Sequence, residues 1–374
     1  MSNDKTFAAP AHINAIAPYQ AGKPIDELAR EFGLDPAGIV KLASNENPLG
    51  MPASARAAIA AAAEALARYP DPNGFDLKSA LSKRYGVPMD WITLGNGSND
   101  ILEIAALALL SPGTSAVYAQ HAFVVYKLAT QARGARHIMV PARDYGHDLD
   151  AMFAAIADDT RLLFIANPNN PTGTFIGGPQ LQAFLARVRD AHGDRVTVVL
   201  DEAYNEYLDP ELRFDSTELV RQFPNLIVSR TFSKAYGLAG LRVGFALSQP
   251  RLTDLLNRVR QPFNVNTLAQ AAAIAALGDA AYLEQAYAGN KAGKAQLCAA
   301  FDKLGLHYVP SYGNFVLVHV GDAPRINLEL LKRGVIVRPV AGDGLPEWLR
   351  VTIGLPGENT RFIEALEQIL SAGK

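Results

Sequence analysis

Between residues 91 and 248, short β-branched runs alternate with alanine- and leucine-rich segments, and this alternation narrows the fold more than any other feature. The runs are WITLG (91–95), SAVYAQ (115–120), RHIMVP (136–141), RLLFIAN (161–167), VTVVLD (196–201), NLIVSR (225–230) and VGFALS (243–248). Between them, NDILEIAALALL (99–110) and PQLQAFLARVRDA (179–191) carry the apolar spacing of helices. Repeated strand and helix predict an α/β fold, a mainly parallel sheet sandwiched by helices. The last two runs are joined by too few residues for a full crossover helix, so the final strand is expected to be antiparallel.

After about residue 250 the pattern changes. A long helical stretch (251–305) leads to strand-like HYVPSYGNFVLVHV (307–320), GVIVRP (334–339) and LRVTIG (349–354), then a last helix. This reads as a smaller α+β domain. With 374 residues, the chain is long for one core. The expected division is an N-terminal arm, residues 1–41, packing with the small domain, a large domain at 42–262 and a small domain at 263–374.

Charge and cysteine content exclude several classes. The formal net charge is -2, which gives no basic excess for nucleic acid. Cys298 is the only cysteine, so there is no intrachain disulfide and no cysteine-based metal site. No metal cofactor is expected. The N-terminus MSNDKTFAAPAHINAIAP lacks an apolar signal core, and no run is long enough to span a membrane. A cytoplasmic location without membrane attachment is expected.

The polar motifs sit where strands end. GNGSND follows WITL, NPNNPTG follows RLLFIA, DEAYNEY follows VTVVL, and SRTFSKAYGLAGLRVG follows NLIV. The carboxyl ends of parallel strands line one edge of a sheet, and ligands bind there. Four motifs distant in sequence therefore converge on one pocket. Gly95 and Gly97 permit close backbone approach, and Ser98, Asn99 and Asp100 suit a helix start whose amides bind phosphate. Taken alone, this motif reads more readily as an ordinary capped turn than as an anion site; it is neither a P-loop nor a full dinucleotide fingerprint. Thr231, Ser233 and Arg242 are candidates to complete an anion site, since a helix dipole by itself contributes only about 0.3–1 kcal/mol.

Lys234 is the central residue. A free lysine is almost wholly protonated at neutral pH. One at a buried strand end, facing a carbonyl cofactor, can instead be stored as a Schiff base; the alternative is a phosphate-binding or solvated lysine. Pyridoxal 5'-phosphate requires such a lysine, an anion site and a carboxylate for its pyridine nitrogen. Asp201 is that candidate carboxylate, since a buried acid at the end of VTVVL needs a cationic partner. Tyr204 and Asn170 are candidates to hydrogen-bond the ring's phenolate oxygen, although NPNNPTG alone is also standard turn chemistry.

These residues resemble the fold-type I pyridoxal-phosphate aminotransferases of class I/II. Within that group PYQAGKPIDELAREFG, KLASNENPLG, ARYPDPNG, GNGSND, AFVVYKLATQARGA and GVIVRP…LRVTIG look like histidinol-phosphate aminotransferases, from about Pro18 to the C-terminus. The resemblance implies that Lys234 carries the cofactor and then moves the proton between the substrate's Cα and the cofactor. It implies that Asp201 pairs with the pyridine nitrogen and that Tyr204 and Asn170 contact the phenolate oxygen. The Gly97–Ser98–Asn99 backbone, with Thr231, Ser233 and Arg242, would hold the phosphate. Phe123 aligns with the ring-stacking aromatic, but the usual preceding proline is missing, which leaves Phe123 and Tyr126 both open. Tyr69 would reach the cofactor phosphate of the other subunit of a homodimer with shared active sites. Arg350 would bind the carboxylate of glutamate. Arg338 and Tyr19 would hold the phosphate of histidinol phosphate, with Asn45 also on the substrate side. Asn99-Asp100 stands where Asp-Glu is more usual.

The implied reaction is transamination between histidinol phosphate and 2-oxoglutarate, giving imidazole acetol phosphate and glutamate in histidine biosynthesis. The alternatives are an aromatic amino-acid aminotransferase and a decarboxylase of a phosphorylated amino acid. A ligand-binding domain of a transcription regulator would bring a basic module for which the N-terminal arm has no room.

Overall fold

The computed structural model describes residues 9–18 and 22–372. Its largest sheet has seven strands, in the spatial order Ile92–Gly95, Gly244–Leu247, Leu226–Thr231, Thr197–Asp201, Thr160–Ala166, Ser115–Ala119, Arg136–Val140. Only Gly244–Leu247 runs antiparallel to its neighbours, as the short connection predicts. All seven expected strands form, with ends shifted by a residue or so. The central strands are buried along their whole length, which is why they read as unbroken aliphatic runs. Arg136–Val140, at the sheet edge, is largely exposed.

Register brings the polar strand ends together. Ala166 lies beside Asp201, and Asp201 beside Ser229. The antiparallel strand begins where its neighbours finish: Gly244 faces both Gly95 and Thr231. The connection before it, which carries Lys234 and Arg242, therefore lies along the same edge as Gly97, Asp201 and Thr231.

The smaller unit is an antiparallel sheet ordered Arg338–Val340, Leu345–Thr352, Phe315–His319, Tyr308–Val309. The expected single strand GVIVRP is two strands in two sheets. Val335–Ile336 pairs in parallel with Val40–Lys41 of the N-terminal arm, and Arg338–Val340 turns into the four-stranded sheet. The arm's Leu28, Ala29 and Ile39 pack on Ile336 of the small unit.

The helical stretch 251–305 divides into Pro250–Val259, Thr267–Leu277 and Ala280–Leu304. Side-chain caps from Asn266 and Asp279 start the second and third. The expected boundary after residue 262 does not follow the packing. Ala269, Ala272, Ala273 and Ala276 are buried in the core of the large sheet, so the middle helix lies with the large unit. Leu297 and Phe301 of the long helix belong to the small unit's core.

Candidate active site

A cavity of about 250 Å³ opens at the carboxyl edge of the large sheet, where the small unit meets it. Gly97 lies just before its lining. Ser98, Asn99, Phe123, Asn170, Asp201 and Tyr204 line it, as do Thr231, Ser233, Lys234, Arg242, Arg338, Arg350 and Asn45.

Asp201 ends a central strand and is only 5% exposed. Its Oδ2 accepts a hydrogen bond from the Tyr126 hydroxyl at 3.0 Å, while Oδ1 has no hydrogen-bond partner. Burial pushes its pKa up to about 6, and the neighbouring Glu202 adds to the rise, against the pull of the Tyr126 hydroxyl, the Ala203 backbone N–H and Lys234. Glu202 itself is held by Arg230, whose Nη2 lies 2.7 Å from Oε2, and by the Ser216 hydroxyl at 2.8 Å. This buried pair ties the strand end of Asp201 to the strand that leads to Lys234.

Lys234 donates from Nζ to the Ser44 carbonyl at 3.0 Å and lies 6.0 Å from the centre of the Tyr204 ring. Burial, with the nearby Arg350 and Arg242, lowers its pKa to about 8, despite the opposing charges of Glu46 and Asp201. A lysine at that value is roughly one-tenth neutral at pH 7, far more than an exposed one.

The other end of the cavity suits an anion. The expected side-chain cap on the helix Ser98–Leu109 is absent: Gly97 is the N-cap, at φ 88, and no side chain caps the helix. Asp100 is engaged elsewhere, its Oδ2 accepting from Asn96 N at 2.7 Å and from Asn264 Nδ2 at 2.8 Å. The first-turn amides thus face the cavity without a competing side chain. Arg242 holds a left-handed backbone, φ 53, which turns its guanidinium back over Gly97. A Cβ on Gly97 would lie 2.5 Å from Arg242 Nη2, and one on Gly244 would lie 2.6 Å from Ser98 N. Arg242 Nη1 also donates to Ser233 Oγ at 3.2 Å. Thr231 Oγ1 accepts from Ser233 N at 3.1 Å.

Along the substrate side, Asn45 donates from Nδ2 to the Tyr204 hydroxyl at 3.0 Å. Its backbone N–H donates to Thr352 Oγ1 at 2.9 Å, which ties it to the small sheet. Arg350 donates to Asn170 Oδ1 and to the Ala43 carbonyl, both at 2.6 Å. Because Arg350 takes the Asn170 oxygen, the amide's NH₂ end is the one turned to donate.

Three expected residues stand apart. Tyr69 is 81% exposed, stacks on Phe263 with ring centroids 4.6 Å apart, and does not line this cavity. Tyr19 lies outside the described residues. Tyr126 lines the cavity but is fully buried, with its ring stacked 4.8 Å from Phe164 and its hydroxyl on Asp201. Its pairing with Asp201 had no signal in sequence, since the two residues come from separate strand–helix units. Ser44 and Glu46, on the loop beside Lys234, were missed for the same reason.

The donor set fits pyridoxal phosphate. Asp201 Oδ1 is a buried acceptor lacking a donor, which a protonated ring nitrogen supplies. The uncapped helix start and the Arg242 guanidinium form a phosphate cradle whose glycines leave the room a Cβ would fill. Lys234 stands ready at the remaining end.

A fold and cavity of this kind define a pyridoxal-phosphate-dependent aminotransferase, and the sequence model of the family described as "Aminotransferase class I and II" matches residues 37–366. The chain is 67% identical over 365 residues to histidinol-phosphate aminotransferase 1 of Cupriavidus pinatubonensis, covering 96% of each chain. It is 65% identical to histidinol-phosphate aminotransferase 2 of Ralstonia nicotianae, covering 97% of each. The crystal structure of histidinol-phosphate aminotransferase from Sinorhizobium meliloti in complex with pyridoxal-5'-phosphate superposes with a TM-score of 0.89, at 29% identity and 99% coverage of both chains. The chain belongs to the class I and II aminotransferases and, within them, to the histidinol-phosphate aminotransferase family.

Proposed function

We propose that this protein transfers the amino group of histidinol phosphate to 2-oxoglutarate, giving imidazole acetol phosphate and glutamate, a step of histidine biosynthesis. The observation that carries the reading is the pairing of an unpartnered, buried Asp201 oxygen with a partly neutral Lys234 in one cavity, in a chain 67% identical to a histidinol-phosphate aminotransferase. When bound, pyridoxal phosphate supplies an electron-withdrawing ring that stabilises negative charge at the substrate's Cα.

The residues act around that ring. Asp201 keeps the ring nitrogen protonated, and Tyr126 orients the carboxylate. Lys234 would hold the cofactor's aldehyde carbon and, when its amine is free, would serve as the base and acid that removes and returns the substrate's Cα proton; its lowered pKa suits both directions. Tyr204, oriented by Asn45, and Asn170, oriented by Arg350, donate toward the phenolate oxygen. The amides at Ser98 and Asn99, Thr231, Ser233 and Arg242 hold the phosphate. Phe123 covers the ring, because it is only half-buried at the cavity while Tyr126 is committed on its face and its hydroxyl. Arg350 and Arg338 receive the anionic groups of the substrates; the part given to Tyr19, which lies outside the described residues, rests on the family resemblance alone.

Tyr69 acts across a homodimer. Its exposure, and that of its partner Phe263, 39%, support burial against a second copy rather than a role in its own cavity. No helix among the described residues is long and apolar enough to cross a membrane.

A single-turnover titration tests the reading. The loaded enzyme is mixed in turn with histidinol phosphate, phenylalanine and glutamate, and the cofactor absorbance is followed. Histidinol phosphate and glutamate are expected to convert it. Much faster conversion by phenylalanine would transfer the assignment to an aromatic aminotransferase, and release of carbon dioxide would indicate a decarboxylase.

A further inference from the structure

The charges lining the cavity are unequal: four cations, Lys234, Arg242, Arg338 and Arg350, against two carboxylates, Asp201 and Glu46. Lys234, Arg242 and Asp201 are occupied by the cofactor. Arg338 and Arg350 are the residues assigned above to the substrate anions. Glu46 is then the one lining carboxylate without a task toward the cofactor.

Its position is fixed by its neighbours. Ser44 accepts the Lys234 hydrogen bond at 3.0 Å, and Asn45 holds the Tyr204 hydroxyl at 3.0 Å. The third residue of this short loop, Glu46, lines the same cavity and lies near enough to Lys234 for its charge to act on that amine. Both Glu46 carboxylate oxygens lie 3.0 Å from Lys41 Nζ, and the side chain remains 46% exposed at the mouth. An anchored carboxylate keeps spare acceptor lone pairs after one such pairing.

We propose that Glu46 is a specificity-determining residue that accepts a hydrogen bond from an imidazole N–H of the substrate. The assignment rests on the reaction proposed above and deepens it. Of the groups on histidinol phosphate, the phosphate is matched by arginine and the amine goes to the cofactor. The ring N–H needs an acceptor, and a phenyl ring offers none. A site that hydrogen-bonds a substrate N–H discriminates against an analogue lacking it.

The test compares histidinol phosphate with phenylalaninol phosphate, which keeps the amine and phosphate and replaces imidazole by phenyl. In Glu46→Ala, KM for histidinol phosphate is expected to rise about 10- to 100-fold with little change in kcat, the usual range for a hydrogen bond to a charged group. Its preference over phenylalaninol phosphate is expected to fall by the same factor. Glu46→Gln keeps an acceptor oxygen and is expected to recover part of the loss near pH 8. It is expected to recover less near pH 5.5, where the substrate's ring is cationic and favours a carboxylate. Equal KM increases for both substrates would overturn the proposal in favour of a structural role for the loop. Unchanged KM for both would overturn it outright. Failure of the wild-type enzyme to use histidinol phosphate, while another amino donor converts the cofactor, would instead overturn the reaction.

Discussion

Asp201 gives the sharpest quantitative test, because the feature that suits it to a cofactor burdens the chain without one. Its folded pKa is about 6, against an ordinary 3.8. The sign follows from proton binding. Between these values the folded chain holds the proton more tightly than the unfolded chain, so this group favours folding fully below 3.8. That contribution is lost as pH rises through about 6, and above it the ionised, buried carboxylate costs about 3 kcal/mol. Roughly 2 kcal/mol of the change falls between about pH 4.5 and pH 8.

Asp201→Asn removes the titration while keeping an oxygen that can accept from the Tyr126 hydroxyl. The amide introduces its own offset, but that offset does not depend on pH. The assay is urea unfolding of the cofactor-free protein at fixed protein concentration, for both chains, across that pH range. The wild type is expected to lose about 2 kcal/mol relative to the variant from the acid to the alkaline end. Adding pyridoxal phosphate is expected to stabilise the wild type strongly and the variant little, since binding to the folded form alone shifts the equilibrium. Parallel stability curves for the two proteins would refute the argument, because they would mean that Asp201 is not titrating in an unfavourable site.

Lys234→Ala is expected to cut turnover by roughly 10²–10⁴-fold or more while leaving reversible cofactor binding, checked by absorbance after dialysis. Full activity would remove Lys234 from the mechanism. Gly244→Ala places a Cβ 2.6 Å from Ser98 N and 2.8 Å from the Arg230 carbonyl, both backbone atoms. An overpacking cost of about 1–3 kcal/mol and weakened cofactor binding are expected, measured by melting and fluorescence titration. Tyr126→Phe keeps the ring stacked on Phe164 but removes the hydroxyl that lowers the Asp201 pKa. The pH at which the cofactor-free chain loses stability is expected to move above about 6, as measured by the same urea series.

Much of the fold was legible because the buried strands leave an unmistakable trace. A strand covered on both faces, such as Thr197–Asp201, has only aliphatic and β-branched residues to offer until its polar end. Strand ends then locate the chemistry, which is how Asp201, Lys234 and Arg242 could be grouped from far-apart positions. What a helix packs against is less visible. Thr267–Leu277 is nearly all small apolar residues, so its pattern does not say whether the large or the small core receives it. Backbone geometry was also silent: the left-handed turn at Arg242 aims its guanidinium at Gly97, yet arginine carries no sequence mark for that conformation.

The two aromatics near the cavity show how packing separates residues that sequence leaves equivalent. Phe123 and Tyr126 lie three residues apart, the first just before the helix Val125–Ala132 and the second within it, and either ring is large enough to cover a cofactor. Their ring centroids are 6.0 Å apart at an interplanar angle of 89°, so they cannot present parallel faces to one planar ligand. Tyr126 already lies nearly parallel to Phe164, at 7°, and spends its hydroxyl on Asp201. Rotating it to stack on a ligand would break both contacts and take the hydroxyl away from the buried Asp201 Oδ2, a loss of about 1–3 kcal/mol by the cost of an unpaired buried acceptor. Phe123 has no such obligation. The same geometry that argues against Tyr126 as the stacking residue gives it a different task in the proposed site, fixing the direction of the Asp201 carboxylate and lowering its pKa.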